Sequence, residues 1–431
     1  MTSRGELRGD ALPRIVEPPP GPRSRELSCR LGELEAPGIN TLFGGQPSLL
    51  WEEARGANVR DVDDNIYIDM TSGFGVAAVG HAHPEVVRAI REQARVLLHG
   101  LGDVHAHPLR VELAARLVRL APVDDAQVFF AISGAEAVEI ALKTAVAATG
   151  RTAVLAFEPS YHGTTLGALA VTSRPAFREP FRALLHTGVR RLPHGCDPGR
   201  IADALRARDV AAAIVEPVVG REGVLLPPSG WLAALADLCR EAGTALVADE
   251  IFTGFGRTGT LFAVEAEGVR PDLLCCGKAL GGGLPIAAVV GRRALFRAWE
   301  TPGEALHTAT FLANPLACAA ALAALRVIES EALPARAARL APTVEARLAA
   351  WRESFPGTVA AVRGRGLLWG IELATPERAK RWTGEALQRG ILLLAGGPEG
   401  KVAQLVPPLT IAEKQLAAAL ELLGEALQCL P

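Results

Sequence analysis

LVADEIFTGFGRTGTLFAVEAEGVRPDLLCCGKALGGG, residues 246–283, is the stretch that decides the fold. Its first apolar run ends in Asp249, and a second apolar run, residues 273–276, is followed by Gly277 and Lys278. Short apolar runs that end abruptly in polar residues are typical of buried parallel strands. Open α/β folds bind their ligands at the carboxyl edge of the sheet, so we expect a carboxylate and an amine to meet there.

Asp249 and Lys278 are the two side chains that pyridoxal phosphate chemistry requires. That cofactor takes a lysine for its Schiff base and an acid against its pyridine nitrogen, which keeps the ring a good electron sink. A buried structural ion pair is the alternative, and for an isolated aspartate and lysine it would be the commoner one. The segments around the two residues favour the cofactor.

Those segments, ADEIFTGFGRTG at 248–259 and GKALGGGLPIAAVVG at 277–291, resemble the signature of the class III (subgroup II) aminotransferases. This family of pyridoxal phosphate enzymes includes ornithine, 4-aminobutyrate and putrescine aminotransferases. The resemblance extends from about Pro47 to Ile411. It implies the fold-type-I α/β architecture, in which a large domain with a mostly parallel sheet flanked by helices carries a smaller α+β domain.

Composition agrees with a large α/β protein. The chain has 431 residues, of which 49% are hydrophobic and 21% are charged, and its formal net charge is −2. This length suits a large domain with a smaller one attached. The near-neutral charge gives no reason to propose a nucleic acid or a membrane surface as partner. No apolar run approaches about 18 residues, and the arginine-containing N-terminus has no apolar signal segment, so neither a transmembrane helix nor a secretory signal is expected.

The cysteines and histidines argue against disulfides and metals. The seven cysteines are scattered without a C-x-x-C pair, which indicates a reduced, cytoplasmic protein. His81 and His83 alternate, as do His105 and His107, but no cysteine or carboxylate nearby completes a ligand set. We therefore expect no metal site.

The order of the elements predicts the domain organisation. Strands and helices alternate from about residue 127 to 290, which predicts a mostly parallel sheet with helices on both faces. Residues 49–69 alternate like antiparallel strands with a turn at 63–65, and in the family this region belongs to the small domain. The predicted division is a mobile, proline- and arginine-rich tail at 1–26, the first part of the small domain at 27–75, the large cofactor-binding domain at 76–315 and the rest of the small domain at 316–431.

A strand, then small residues, then a helix predict a phosphate site at Ser133, Gly134 and Ala135. Free amides and the positive end of a helix dipole meet at such a junction. An ordinary strand-to-helix turn has the same pattern, and it is the resemblance that assigns the cofactor phosphate to it. The resemblance also implies the other cofactor contacts: Tyr161 stacked on the ring with His162 beside it, Glu216 at the end of strand 211–215, Asp249, Ile251 on the opposite ring face, Lys278, and Thr310 reaching the phosphate of the neighbouring subunit. A homodimer or larger assembly with a shared active site is expected.

Several positions depart from the 2-oxoglutarate-using members of the family. Those members grip the acceptor's carboxylates with two arginines, whose positions hold Thr164 and Gln404 here. Their glutamate that pairs with the second arginine is Arg221 here. The glutamate and the arginine are absent together, as expected physically, because either charge left buried without its partner would cost stability. Arg221, Gln404 and Phe74 of the predicted active-site loop are the candidate substrate residues, and Phe252 replaces a glutamine common at the cofactor's phenolic oxygen.

Two interpretations of Arg221 stay open at this point. Its planar charged fork could take a substrate carboxylate, or it could turn outward and pair with Glu222 or another surface acid.

Three function classes follow from these residues. The first is a transaminase that moves an ω-amino group, or another primary amine, between an amine or amino acid and a keto acid or aldehyde, without the usual 2-oxoglutarate grip. The second is a racemase, epimerase or aminomutase on the same fold, which needs no separate acceptor. A non-catalytic binding protein is disfavoured because Lys278, Asp249 and the phosphate site are all present.

Overall fold

The computed structural model describes residues 6–39 and 47–430. Residues 1–5 of the predicted tail, residues 40–46 of the predicted segment 27–75, and Pro431 lie outside this part of the chain. The strands of the described chain are β1 (Trp51–Arg55), β2 (Asn58–Asp61), β3 (Ile66–Asp69), β4 (Ala126–Ala131), β5 (Ala153–Glu158), β6 (Val189–Pro193), β7 (Val210–Val215), β8 (Ala245–Asp249), β9 (Leu273–Cys276), β10 (Ala287–Arg292), β11 (Val359–Arg365), β12 (Leu368–Leu373), β13 (Ile391–Leu392), β14 (Leu394–Gly396) and β15 (Val402–Leu405). Its helices are α1 (Pro22–Leu34), α2 (Ser72–Gly75), α3 (Pro84–Ala94), α4 (Pro108–Leu120), α5 (Gly134–Thr149), α6 (Leu166–Val171), α7 (Pro175–Arg178), α8 (Pro198–Leu205), α9 (Trp231–Ala242), α10 (Arg293–Phe296), α11 (Pro315–Ser330), α12 (Leu333–Ser354), α13 (Pro376–Gln388) and α14 (Glu413–Gln428).

The contacts divide the chain into two units. The larger unit comprises Pro84–Pro342 and Arg363–Gly370, and the smaller one comprises Met1–His83, Thr343–Val362 and Ile371–Pro431. These boundaries differ from the predicted ones, chiefly because residues 316–342 belong to the larger unit.

Seven strands of the larger unit form one sheet in the order β4-β10-β9-β8-β7-β5-β6. The strands from β5 to β9 run parallel, whereas β10 runs antiparallel to both of its neighbours, β4 and β9. The central strands are continuous apolar runs, and every residue of β7 is buried, as expected for strands covered on both faces. The predicted mostly parallel sheet flanked by helices is confirmed.

The strand β10 reverses direction because the connection before it is short. Residues 277–286 join β9 to β10, and a crossover to a parallel strand needs about a dozen residues or more. The connection begins with a single 3-10 turn, Lys278–Gly281. Lys278 therefore lies at the carboxyl end of β9, next to the carboxyl end of β8, where Asp249 pairs in register with Cys275.

Helix α5 packs on this sheet and begins at the same edge. It contacts β4, β7, β8, β9 and β10, and its residues Ala137, Ile140, Ala141 and Ala145 are fully buried. Because β4 ends only a few residues before the helix starts, the N-terminus of α5 lies beside the carboxyl ends of the parallel strands.

Helix α11 explains the shifted domain boundary. It packs against α3, α4 and the Lys278–Gly281 turn, all of which lie in the larger unit. Its alanine-rich sequence is buried on nearly every side, because small side chains let neighbouring elements approach closely. The predicted assignment of residues 316–342 to the small domain therefore differs from the observed packing.

Two four-stranded sheets lie mainly in the smaller unit. One has the order β1-β2-β3-β13 and the other β11-β12-β15-β14. The predicted turn at 63–65 joins β2 to β3. The buried Asp61 carboxylate closes it by accepting hydrogen bonds from Asn65 N at 2.9 Å and from the Tyr67 hydroxyl at 2.7 Å. The strands β13 and β14 follow one another closely in the chain but join different sheets.

The described part of the predicted mobile tail is packed within the smaller unit. Leu7 is buried, and the side chains of Asn58 and Asn65 accept hydrogen bonds from Ala11 N at 2.9 Å and Val16 N at 2.7 Å. Helix α1 begins at Pro22 within this segment, where the Asp63 carboxylate accepts hydrogen bonds from its first-turn amides. The prediction missed these contacts because distant polar side chains make them.

Candidate active site

The acid of the candidate site is held by an imidazole. Asp249 is the last residue of β8, and one of its carboxylate oxygens lies 2.7 Å from Nδ1 of His162. The other oxygen accepts a hydrogen bond from Ile251 N at 3.1 Å. Asp249 and His162 are both buried, so these contacts fix the direction in which the carboxylate points.

Lys278 stands in a strained turn beside this acid. Its φ of 32° lies in the left-handed region that residues other than glycine rarely adopt. Its Nζ lies 4.8 Å from the centroid of the Phe252 ring. Burial lowers the pKa of the Lys278 amine. The negative charges of Asp249 and Glu216 oppose that lowering, and the positive charge of Arg221 adds to it. The turn thus presents an amine that gives up its proton more readily than an exposed lysine does.

Glu216 links two of the loops at the sheet edge. It follows β7, and its carboxylate accepts hydrogen bonds from Tyr161 N at 2.8 Å and Gly220 N at 2.9 Å. The pKa of Glu216 is raised to about 7, mainly by burial; the positive charge of His162 opposes this rise and the negative charge of Asp249 adds to it. The predicted strand-end carboxylate therefore organises the loops around it.

The N-terminus of α5 lies where the sequence predicts a phosphate site. The Ser133 hydroxyl caps the helix by accepting a hydrogen bond from Glu136 N at 3.2 Å, while the amides of the following first turn have no partners within a helix. A Cβ at Gly134 would lie 3.0 Å from the Ile251 side chain, and one at Gly163 would lie 2.7 Å from the Cβ of Ala135. Small residues are thus required where these loops converge on the helix end.

These residues fit pyridoxal phosphate. A helix N-terminus suits its phosphate, the Asp249 carboxylate suits its ring nitrogen, and Lys278 supplies the amine. The Nε2 atom of His162 is buried and has no hydrogen-bond partner within the described chain. That orphaned atom indicates a polar site built to work with a bound group.

The family follows once this geometry is set beside known proteins. Residues 44–427 match the family described as aminotransferase class-III. The chain belongs to the class III aminotransferases. The predicted family is confirmed, and with it a transaminase that depends on pyridoxal 5'-phosphate.

Individual relatives cover nearly the whole aminotransferase. It is 43% identical to an acetylornithine aminotransferase of Methanopyrus kandleri, over 86% of this chain and 92% of the relative. It is 39% identical to a putrescine aminotransferase of Pectobacterium atrosepticum, over 88% of this chain and 82% of the relative. Among solved structures, an ornithine aminotransferase of Toxoplasma gondii superposes with a TM-score of 0.84 at 29% identity, covering 94% of each chain.

The larger unit of the aminotransferase gathers most of the predicted site residues. Tyr161 bonds to Glu216 and His162 to Asp249, and the charges of Asp249 and Glu216 both act on Lys278. Ile251 lies against the N-terminus of α5. Thr310 is also in the larger unit, but it lies on an exposed loop. Its carbonyl oxygen would be 3.4 Å from a Cβ added at Gly102. Its predicted role in a neighbouring subunit stays a prediction.

Two candidate substrate residues lie in the smaller unit. Phe74 has a φ of 62° and an exposed side chain in the turn that forms α2. Gln404 is on β15 and pairs in register with Leu394 of β14. Their predicted contacts with substrate stay predictions.

Sequence reasoning missed four contacts of the aminotransferase site. It named His162 but not its bond to Asp249, and it noted Phe252 but not its contact with Lys278. It also missed Phe177 and Arg174, which lie beside Tyr161 and Glu222. Phe177 lies in the four-residue helix α7, and Arg174 directly precedes it. So short an element leaves no periodic signal in the sequence.

Two absences apply to residues 6–39 and 47–430. Every helix in these ranges is too short or too polar to span a bilayer. The same ranges contain no cluster of three or more histidine, cysteine or carboxylate residues arranged to hold a metal ion.

Proposed function

We propose that this aminotransferase moves a terminal (ω-)amino group, or another primary amino group, between an amine or amino acid and a keto acid or aldehyde. The observation that carries this proposal is a partly buried lysine with a lowered pKa at the same sheet edge as a carboxylate fixed by His162. The relatives are acetylornithine and putrescine aminotransferases, whose names favour amines at the end of a chain.

The residues divide the work as follows. When bound, pyridoxal phosphate supplies an electron sink that makes the C–H bond next to the amino nitrogen acidic. Asp249, oriented by His162, would pair with the ring nitrogen, and the amides of Gly134 and Ala135 would hold the phosphate. Lys278 would accept the proton from the substrate carbon at Nζ and hold it there for its return.

The acceptor is not gripped as in 2-oxoglutarate users. Thr164 and Gln404 replace the two arginines of those members, and neither offers the charged fork that binds a carboxylate in two bonds. A keto acid or aldehyde bound by other contacts therefore serves as the acceptor.

We further propose a cytoplasmic homodimer with a shared site. Two exposed segments, 95–106 and 301–311, meet where the rings of His99 and Phe311 lie 5.3 Å apart. The large apolar side chains of Val96, Leu98, Leu101 and Phe311 are exposed there, next to Thr310. An apolar patch of this kind marks a protein interface, and a second copy of the chain would bring its Thr310 to the cofactor phosphate.

A single-turnover acceptor panel tests the proposed reaction. A primary amine first converts the cofactor to its amine form. The absorbance change between about 330 and 430 nm monitors this conversion. Carbonyl compounds are then added one at a time. A transaminase requires a carbonyl compound to regain the starting spectrum. A racemase, epimerase or aminomutase would complete turnover without one, and that outcome would overturn the proposal.

A further inference from the structure

Arg221 lies at the tip of a loop that leaves it little freedom. The loop follows β7 and is closed by a bridge between Val219 and Leu225, with mutual backbone hydrogen bonds of 2.9 and 3.0 Å. Gly220, directly before Arg221, donates its amide to the buried Glu216 carboxylate at 2.9 Å. The backbone of Arg221 is thus anchored to a group of the candidate active site.

The Arg221 side chain lies against the aromatic residues of the site. Its guanidinium carbon is 4.5 Å from the centroid of the Tyr161 ring and 5.3 Å from that of Phe177. The two rings meet edge to face with centroids 6.2 Å apart. A guanidinium over an aromatic ring gains a cation–π attraction, and such stacking still allows its N–H groups to form a two-bond fork with a carboxylate.

The neighbouring acid pairs with a different arginine. Glu222 is buried, and Arg174 binds it at 2.9 Å. Arg174 also lies 5.1 Å from the Phe177 centroid. Arg174, and not Arg221, is therefore the arginine that holds Glu222. The positive charge of Arg221 acts instead on Lys278, whose pKa it helps to lower.

We propose that Arg221 is the substrate-carboxylate receptor of this enzyme, with Tyr161 and Phe177 as the platform that orients it. The proposal rests on the proposed transaminase function and adds the substrate class: amines or carbonyl compounds that carry a carboxylate at a distance from the reacting carbon. Arg221 is then a specificity residue that contacts the substrate, while Phe177 acts through it as a positioning residue.

The first experiment compares matched donors on the holoenzyme. The substrates are 5-aminopentanoate and its amide, 5-aminopentanamide, which differ only in the charged group. Arg221→Gln is expected to raise the KM for 5-aminopentanoate by about tenfold to a hundredfold, the effect of losing a charged hydrogen bond, and to change the KM for the amide by less than about twofold. Arg221→Lys keeps the charge without the two-bond fork. Its KM for 5-aminopentanoate should therefore lie between those of the wild type and Arg221→Gln.

A surface arginine nearby supplies the control. The Arg182 side chain is 82% exposed and lies 3.8 Å from the Glu179 carboxylate. Arg182→Gln is expected to leave both KM values unchanged. Unchanged circular dichroism and cofactor absorbance in every variant would show that the fold and the cofactor site are intact.

A binding measurement makes the test independent of turnover. Unreactive monocarboxylates from acetate to hexanoate are titrated into the wild-type and Arg221→Gln holoenzymes by calorimetry. The proposal expects at least one of them to bind the wild type at least about tenfold more tightly than the variant. Equal binding to both proteins, no binding to the wild type, or equal KM changes for the acid and the amide would overturn it. Failure of the proposed function would show separately, as an unchanged cofactor spectrum when any primary amine is added to the wild type.

Discussion

His162 and Asp249 form a buried pair in which the imidazole Nδ1 lies 2.7 Å from a carboxylate oxygen. Asp249 ends strand β8 and His162 lies in the loop after β5, 87 positions away in the sequence, and the two meet at the carboxyl edge of the large sheet. The imidazole therefore fixes where the Asp249 charge is directed.

Replacing His162 by glutamine should slow turnover while the cofactor stays bound. The Asp249 carboxylate would lose a charged hydrogen bond, worth about 1.5 to 3 kcal/mol, and kcat should fall by roughly tenfold to a hundredfold. Steady-state kinetics and the cofactor absorbance measure the two effects. His186→Gln, at an exposed histidine, is the control, and equal rates in the two variants would contradict the positioning role of His162.

Lys278→Ala should lose turnover but keep its fold. General acid–base groups contribute about a hundredfold to ten-thousandfold to a rate, and here the same amine also holds the cofactor. The phosphate contacts do not depend on this lysine, so the purified variant should retain some cofactor. Lys143→Ala, at an exposed lysine, should be fully active. Turnover by Lys278→Ala near the wild-type rate would remove Lys278 from its assigned role.

Gly163→Ala should destabilise the protein and weaken cofactor retention. Gly163 has a φ of 127°, and an added Cβ would come within 2.7 Å of the Ala135 Cβ beside the phosphate site. We expect a loss of about 1 to 3 kcal/mol in the free energy of unfolding, measured by urea titration, and faster cofactor loss on dialysis. Gly150 also has a positive φ, 68°, but open space around it. Cofactor loss from Gly150→Ala should match the wild type, and equally fast loss would exclude a local effect at Gly163.

Stability should fall as pH rises through the range in which Glu216 titrates. Its pKa is raised from an ordinary value of 4.5 to about 7 in the folded chain. The folded state therefore holds a proton that the unfolded state has already released, and the free energy of unfolding decreases between these two values. Without cofactor, the wild type should lose roughly 3 kcal/mol more than Glu216→Gln from pH 4.5 to 7. If the free energy of unfolding changed with pH in the same way in the two proteins, the Glu216 carboxyl would not be protonated in the folded state.

The proposed dimer predicts a shared defect at Thr310. Thr310→Ala should lose cofactor faster on dialysis than the wild type, because one phosphate contact from the neighbouring subunit would be missing. Phe311→Ser should shift sedimentation toward the monomer, since it removes an exposed aromatic from the apolar patch. A wild-type enzyme that is fully active as a monomer at assay concentration would contradict the shared site.

The sequence by itself determined the fold class and the chemical centre of this protein. Apolar runs that end in Asp249, in Gly277 before Lys278, and in Glu216 are local patterns, and the parallel sheet brings their ends to one edge. The Ser133–Ala135 junction could be predicted for the same reason, because a strand, small residues and a helix follow one another directly in the chain.

Only the tertiary structure decided which side chains act on these groups. The bond from His162 to Asp249, the stacking of Arg221 on Tyr161 and the pairing of Glu222 with Arg174 join residues from separate loops. The packing of α11 against α3 and α4, which moved the domain boundary, is also a contact between distant segments. Periodicity and motif spacing report local conformation and burial, whereas the partner of a loop side chain depends on how distant elements pack, which a single sequence does not encode in any local pattern.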